Sequence, residues 1–227
     1  MKKFLGLALA GALSVAALPA VAADYPLKAA PPPIWTWTGF YVGVQAGAGW
    51  QHTQFNFTFV STGTAVGTGG EVGGTLGWNW QVPGTPWLFG IEGDWSWTGM
   101  EQRGTAVCPG CSQRVNWLAT ARGRIGHING PLLFYITGGA AWAEIHNFNF
   151  LPAFIGSANI TTTVPGFTVG AGLEGALGGG WSLKAEYLFV TLDGANECVV
   201  AACGAPPVIF TDWTRLHIVR AGVNYKF

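Results

Sequence analysis

An alternation of apolar and polar residues with a period of two is the feature of this sequence that most constrains its fold. It is clearest in the segment 218–227, whose apolar face holds Val219, Ala221, Val223, Tyr225 and Phe227. The opposite face holds Arg220, Gly222, Asn224 and Lys226. Because successive side chains of a β-strand point to opposite sides, the pattern predicts a strand that separates two different environments.

The same alternation recurs in eight segments: 39–50, 70–82, 87–97, 114–126, 132–143, 166–177, 181–190 and a last one that ends at Phe227. Three short connections (83–86, 127–131, 178–180) alternate with four long ones (51–69, 98–113, 144–165, 191–211). Membrane strands of a barrel need roughly 9–11 residues, and short turns alternate with long external loops. We therefore predict an all-β fold, an eight-stranded antiparallel up-and-down β-barrel that crosses the outer membrane of a Gram-negative bacterium.

Charged residues are scarce and fall on one face of these segments. They make up 10% of the chain, against about 25% in a typical soluble domain. An Arg or Lys that faces lipid at the midplane costs roughly 2–4 kcal/mol, so the polar faces are expected to line the lumen. The lumen charges are then Glu92, Asp94, Arg122, Arg124, Glu174, Lys184, Glu186 and Arg220. Interfacial aromatic belts are expected at Trp50, Trp78, Trp80, Trp87, Trp97, Trp181 and Tyr225.

The N-terminal residues 1–23 have the organisation of a secretory signal peptide. Lys2 and Lys3 precede an uncharged apolar stretch, and small residues follow up to Ala23. The apolar stretch is shorter than the roughly 20 residues that a membrane-spanning helix needs. Residues 24–36, which include three consecutive prolines from Pro31 to Pro33, are predicted to form a periplasmic linker. Residues 37–227 are then the barrel.

Several short motifs, in a fixed order, resemble a known family. They include Trp37-Thr38-Gly39-Phe40-Tyr41-Val42-Gly43, Gly77-Trp78-Asn79-Trp80-Gln81, Arg122-Gly123-Arg124-Ile125-Gly126 and Asn224-Tyr225-Lys226-Phe227. The chain resembles the small outer-membrane β-barrel, or outer-membrane immunogenic-protein (porin-like), family of Gram-negative bacteria, related to the transmembrane domain of OmpA. The resemblance implies a surface-exposed protein with a structural or weakly porin-like role and no catalytic residue. It also implies that the barrel-assembly machinery reads Phe227 as an assembly signal.

The lumen charges allow a structural and a functional interpretation. An eight-stranded barrel is just wide enough for side chains to fill it, so its buried charges must pair. Glu92 or Asp94 is expected to face Arg122 or Arg124 on the neighbouring strand, and a paired polar plug is the main hypothesis. A salt-bridge gate on a narrow water or ion path is the alternative.

The four cysteines form two closely spaced pairs, both in long connections of an exported chain. Structural disulfides are therefore favoured over a redox or zinc motif. Local pairing, Cys108 with Cys111 and Cys198 with Cys203, is the main prediction. Pairing between the loops and a four-thiolate metal site remain alternatives. No cofactor or resident metal is otherwise expected.

The sequence gives little support for catalysis. His217 shares the lipid-facing side of the last segment with Val219 and Ala221, and no serine lies within two residues of it. We therefore predict that the protein is not an enzyme. Alternating Phe55, Phe57 and Phe59 in the first long connection predict either a strand that extends beyond the membrane or an exposed aromatic surface for a ligand.

The predicted function is an outer-membrane barrel with a structural and surface-exposed, immunogenic role. A narrow low-conductance pore is one alternative, and a soluble secreted Trp-rich carbohydrate-binding β-sandwich is another. The expected partners are outer-membrane lipid, lipopolysaccharide, the barrel-assembly machinery and an unknown surface ligand of the external loops. Because the sequence has no basic patch, nucleic acid is not expected to bind.

Overall fold

The computed structural model describes residues 35–55, 63–104, 112–151, 156–193, 196–198, 209–211 and 213–227. The predicted signal peptide and the first part of the predicted linker lie outside these residues. Among the described residues, no helix is long and apolar enough to cross a membrane.

Ten β-strands make up the described structure. They are β1 (Gly39–Phe55), β2 (Gly63–Gln81), β3 (Trp87–Arg103), β4 (Ser112–Asn129), β5 (Leu132–Leu151), β6 (Gly156–Gly178), β7 (Trp181–Leu192), β8 (Asn196–Cys198), β9 (Ile209–Thr211) and β10 (Trp213–Lys226). Eight of them close into one barrel in the order β1-β10-β7-β6-β5-β4-β3-β2, and β8 pairs with β9 separately. All the pairings are antiparallel. The predicted eight-stranded antiparallel barrel is confirmed.

Most barrel strands extend further into the long connections than the sequence pattern predicted. β1 continues to Phe55 and β2 begins at Gly63, so the predicted connection 51–69 shortens to 56–62. The reason is that paired strands continue past the apolar band as hairpins. The last strand ends at Lys226, although the Phe227 N–H still donates to the Phe40 carbonyl at 3.0 Å.

One prediction about side-chain direction is wrong. The alternation placed Val115 on the lipid face, but this residue is fully buried in the lumen. The β4 register shifts between Val115 and Trp117 against β5, and the β3 register shifts between Trp97 and Met100 against β4. A β-bulge of this kind inserts one residue and reverses the inward-outward parity beyond it.

The outward face of the barrel is an apolar band with aromatic rims. Every residue of the predicted belts has an exposed side chain, from Tyr225 at 36% to Trp97 at 58%. Trp181 packs on Tyr225 with ring centroids 5.0 Å apart, and Trp80 packs on Phe89 at 6.3 Å. Between the rims, the described outward positions carry no Asp, Glu, Lys or Arg. Such a surface suits contact with hydrocarbon.

The lumen is filled in three layers. At the short-turn end, Trp37, Leu88, Leu133 and Tyr135 form a buried apolar cluster. The charged side chains occupy the middle. The end of the long connections is closed by a second apolar cluster of Met100, Val115, Leu118, Ala141, Ala143, Ile145, Val164, Leu188, Val190, Leu192, Leu216 and Ile218. The charged layer is therefore enclosed between two apolar layers.

Glycines on the two faces of the wall have different roles. A Cβ on the inward-facing Gly77 would overlap the ring of Tyr41, its direct partner across the β1–β2 ladder. A Cβ on the outward-facing Gly74 would meet nothing closer than the Gly43 carbonyl oxygen at 3.7 Å. The inward glycines thus provide the space in which large lumen side chains lie.

This contrast predicts different effects for two alanine substitutions in the same strand. Gly77→Ala is expected to destabilise the barrel by about 1–3 kcal/mol, because the added methyl group overpacks a filled lumen. Gly74→Ala is the matched control and is expected to change stability by no more than about 0.5 kcal/mol. Urea unfolding of the refolded proteins, followed by tryptophan fluorescence, measures both. Equal losses in the two variants would contradict the role assigned to the inward glycines.

Candidate functional site in the barrel lumen

The structure brings all eight predicted lumen charges into one buried layer. Each is exposed to solvent by 7% or less, and Asp94 has the highest value. Glu92 lies directly opposite Arg122 in the β3–β4 ladder, and Glu186 lies directly opposite Arg220 in the β7–β10 ladder. These positions follow from the inward parity of neighbouring strands.

Glu92 is shared by cations from different parts of the barrel wall. It accepts hydrogen bonds from Arg122, from Lys184 Nζ at 3.2 Å and from the Tyr41 hydroxyl at 2.7 Å. Arg124 Nη1 lies 3.8 Å away. Its contacts therefore connect β1, β3, β4 and β7 across the lumen.

Asp94 and Glu186 hold the two other central arginines. Arg220 Nη1 donates to Asp94 at 3.0 Å, and Arg220 Nε donates to Glu186 at 2.8 Å. Arg122 bridges the same two acids, with Nη2 2.9 Å from Asp94 and Nη1 2.9 Å from Glu186. Thr120 adds a hydroxyl donor to Asp94 at 2.6 Å. Charge-assisted and multiply bonded contacts of this kind compensate the loss of hydration.

Arg124 and Glu174 form the part of the network nearest the short turns. Arg124 Nη2 donates to Glu174 at 2.8 Å. The guanidinium also lies 3.9 Å from the centroid of the Tyr135 ring, close enough for a cation–π contact. Ser182 and Asn224 donate to the other Glu174 oxygen at 2.5 and 2.8 Å.

Sequence reasoning missed three members of this layer. Tyr41 and Tyr135 are buried in the lumen, and their alternation with outward residues such as Val42 and Phe134 is the signal that could have placed them there. Glu71 lies at the start of the predicted segment 70–82, and its side chain also points into the lumen, where the residue is 5% exposed. The apolar layers were also missed, although continuing the inward parity of β7 reaches Leu188, Val190 and Leu192.

The central network is closed to solvent and internally hydrogen-bonded. Solvent reaches none of the Arg122, Asp94 and Glu186 side chains. Every carboxylate oxygen of Asp94 and Glu186 accepts from Arg122 or Arg220, so neither acid is free to act as a base or nucleophile toward a bound molecule. Within the described residues, no cluster of three or more His, Cys, Asp or Glu side chains could hold a metal ion.

A second polar cluster lies outside the wall, at the rim nearest the long connections. The His217 ring stacks on Trp50 with centroids 5.6 Å apart, and its Nδ1 lies 2.7 Å from the Tyr187 hydroxyl. His52 packs edge-on against His217 at 5.7 Å and lies opposite Arg215 in the β1–β10 ladder. Imidazole and guanidinium groups therefore lie beside aromatic rings where the apolar band ends.

The remaining predicted sites have different positions. Phe227 is 74% exposed, and its ring meets Tyr225 edge-on at 5.3 Å. Cys108, Cys111 and Cys203 lie outside the described residues, and only the backbone of Cys198 is described. The predicted disulfides therefore remain predictions. The side chains of Phe55, Phe57 and Phe59 also lie outside the described part of the chain.

The geometry predicts that Glu92→Gln destabilises the barrel strongly. Removing one member of a buried ion pair typically costs about 3–5 kcal/mol, because the remaining charge stays buried without compensation. Here Arg122 and Lys184 would both lose a carboxylate partner. Unfolding of the refolded variant in detergent or lipid measures the loss.

Glu101→Gln is the matched control for this substitution. Glu101 lies beyond the outer aromatic rim, where Arg103 Nε donates to it at 2.9 Å. This hydrogen bond lowers the pKa of Glu101, so the control removes an ionised carboxylate that stands in solvent. Its stability should change little. Equal stability of the two variants would argue against a paired lumen.

Comparisons with known proteins agree with this architecture. The chain is 34% identical over 215 residues to the 31 kDa outer-membrane immunogenic protein of Brucella melitensis, covering 88% of this chain and 87% of that protein. It is 27% identical over 197 residues to the 25 kDa outer-membrane immunogenic protein of Brucella canis, covering 86% and 81%. It is 30% identical over 157 residues to the 22 kDa outer membrane protein of Rhizobium leguminosarum bv. viciae, covering 69% and 65%.

Solved structures with a similar chain trace include other outer-membrane proteins. Neisserial surface protein A has a TM-score of 0.44 and 16% identity, with 84% of this chain and 98% of that chain covered. The outer membrane protease OmpT from Escherichia coli has a TM-score of 0.49 and 10% identity, with 85% and 98% covered.

The family itself is established by sequence. Residues 5–227 match the family described as outer membrane protein beta-barrel domain. Together with the relatives named above, this match places the chain in the outer membrane of a Gram-negative bacterium. The chain belongs to the outer membrane protein β-barrel domain family.

Proposed function

We propose that this outer-membrane protein acts as a sealed structural barrel that presents its long connections at the cell surface. The observation that carries the proposal is the three-layer filling of the lumen. A buried charge layer, whose side chains are exposed by 4% or less, lies between two apolar clusters. This arrangement supports a plug more than a gate, because no layer offers a hydrated path for an ion.

Sealing predicts that the refolded wild-type protein does not conduct ions. In a planar lipid bilayer, we expect no discrete current steps, and in a swelling assay, proteoliposomes should exclude small sugars. A porin refolded in the same way is the positive control. Reproducible current steps that change in Glu92→Gln would contradict the proposal and favour the narrow pore with a charge gate.

The barrel is proposed to work without catalysis. Apart from Glu71, which is closed to solvent, the lumen carboxylates that could act as acids or bases are engaged by arginine, lysine and hydroxyl donors. Outside the lumen, the His217 Nδ1 contacts the Tyr187 hydroxyl on the outward face of the wall rather than a serine or an acid. Neither arrangement contains a nucleophile activated by a neighbouring base.

Phe227 is proposed to be read by the barrel-assembly machinery during insertion. In the folded barrel, its ring is mostly exposed, whereas its backbone N–H pairs with Phe40. The side chain therefore contributes little to the finished structure, which leaves it available for recognition before closure. An external ligand of the long connections is a further proposed partner, and the length of these connections supports it.

Phe227→Ala separates assembly from stability because it keeps the backbone hydrogen bond. We expect the purified variant to refold in detergent with nearly wild-type stability, while its outer-membrane level in cells falls several-fold. Tyr225→Ala is a comparison variant, since Tyr225 packs on Trp181 and should lower stability in vitro as well. A normal cellular level of Phe227→Ala would exclude the assembly role.

Lipopolysaccharide is the proposed lipid partner at the external rim. Arg215 and His52 face outward just beyond Trp50, at the level where phosphorylated headgroups of the outer leaflet would lie. Within the described residues, Arg215 forms no ion pair with an acid of the protein. A guanidinium group forms strong, bidentate hydrogen bonds with a phosphate group.

Arg215→Ala is expected to reduce the lipopolysaccharide that remains bound during purification in mild detergent. The reduction should be at least twofold, measured as lipid phosphate per protein. Arg114→Ala is the control, because Arg114 lies opposite Glu101 on the other side of the barrel. If the two variants retain equal amounts of lipid, the rim cluster is not the contact site.

A further inference from the structure

The charged layer of the lumen contains one more acid than bases. Its five buried acids are Glu71, Glu92, Asp94, Glu174 and Glu186. Its four buried bases are Arg122, Arg124, Lys184 and Arg220. If every group were ionised, the layer would carry one uncompensated negative charge between two apolar clusters.

Glu71 is the acid that lacks a partner. Neither of its carboxyl oxygens has a hydrogen bond, and its side chain has no solvent contact. Its nearest cation is Arg220 Nη1, 3.8 Å from Oε1, which is too long for a hydrogen bond. Each of the other four acids accepts at least two hydrogen bonds from the network.

Arg220 cannot easily serve Glu71 as well. Its Nε and Nη2 are directed to Glu186 at 2.8 and 2.7 Å, and its Nη1 and Nη2 to Asp94 at 3.0 and 3.2 Å. Gly47 lies between Glu71 and Arg220 in the ladder and offers no side-chain donor. The other charged groups that act on Glu71 are Arg122, Asp94 and Glu186, two of which are acids.

We propose that Glu71 is a proton-binding site and is buried as the neutral carboxylic acid. An ionised carboxylate without a donor is among the most costly groups to enclose, whereas a bound proton removes the excess charge of the layer. A neutral carboxyl is also a hydrogen-bond donor. Gln45 faces the lumen two residues before Gly47, the β1 partner of Glu71. Its side-chain oxygen has no hydrogen-bond donor.

The proposed proton lies at one side of the charged layer rather than at its centre. Glu71 pairs with Thr98 in the β2–β3 ladder, on the side of the network that faces the larger apolar cluster. The charges of the four ionised acids balance those of the four bases, and the protonated Glu71 adds no further charge beside the apolar cluster. A small cation such as sodium would compensate the same excess charge.

Infrared spectroscopy of the refolded wild-type protein with ¹³C-labelled glutamate tests the protonation directly. At pH 7 we expect one isotope-shifted carbonyl band of a neutral carboxylic acid, which Glu71→Gln removes and the control Glu101→Gln retains. If Glu71→Gln does not refold, Glu71→Met provides the same readout with an apolar side chain of similar length. Absence of the band in wild type, or its persistence in the Glu71 variant, overturns the proposal.

Stability measurements provide an independent arm. Glu71→Gln should be at least as stable as wild type, in contrast to Glu92→Gln, because it removes no ion pair. Replacing sodium by tetramethylammonium in the buffer should leave wild-type stability unchanged. A loss in Glu71→Gln as large as that in Glu92→Gln would mean that Glu71 is ionised and paired. A dependence on sodium would assign the site to an alkali ion instead of a proton.

Discussion

Desolvated charge is the constraint on which the rest of this barrel depends. Charged groups placed in a lumen this narrow lose their water, and only other side chains can replace it. The solution is a network in which Glu92, Asp94 and Glu186 each accept from more than one cation. Its partners come from strands on opposite sides of the wall. The network therefore connects the cylinder across its centre, which the hydrogen-bonded ladder alone does not do.

The two apolar clusters give this network its environment. They keep water from both ends of the charged layer, which strengthens each ion pair and also makes any unpaired group costly. The same enclosure separates this arrangement from that of a channel, in which the wall charges face a hydrated path. A structural role and a dry lumen are thus two aspects of one packing arrangement.

Much of the fold could be predicted from the sequence because a period of two is a direct geometric property of strands. The strand count, the alternation of short and long connections, and the inward position of charges such as Arg220 follow from it. The parity of Val115 could not be predicted, since a bulge depends on the register of both neighbouring strands rather than on one segment. Glu71 was missed because glycines surround it at 69, 70, 73 and 74, so few side chains define the alternation there. The lumen clusters were missed because apolar residues such as Leu118 and Leu188 stand on the otherwise polar face of their strands.

The inward glycines also help to determine the register between neighbouring strands, which sets the shear of the closed barrel. A closed sheet has no edge, and a slip of two residues between neighbouring strands would leave every side chain on its correct face. Such a slip would nevertheless bring Thr75 or Asn79, instead of Gly77, opposite Tyr41. Similar pairs match Tyr135 with Gly172, Arg124 with Gly90 and Arg220 with Gly47. Each of these large lumen side chains thus lies over a glycine of the neighbouring strand. Other strand alignments would bring side chains into the space that the large residues occupy, so the closed barrel favours this one register.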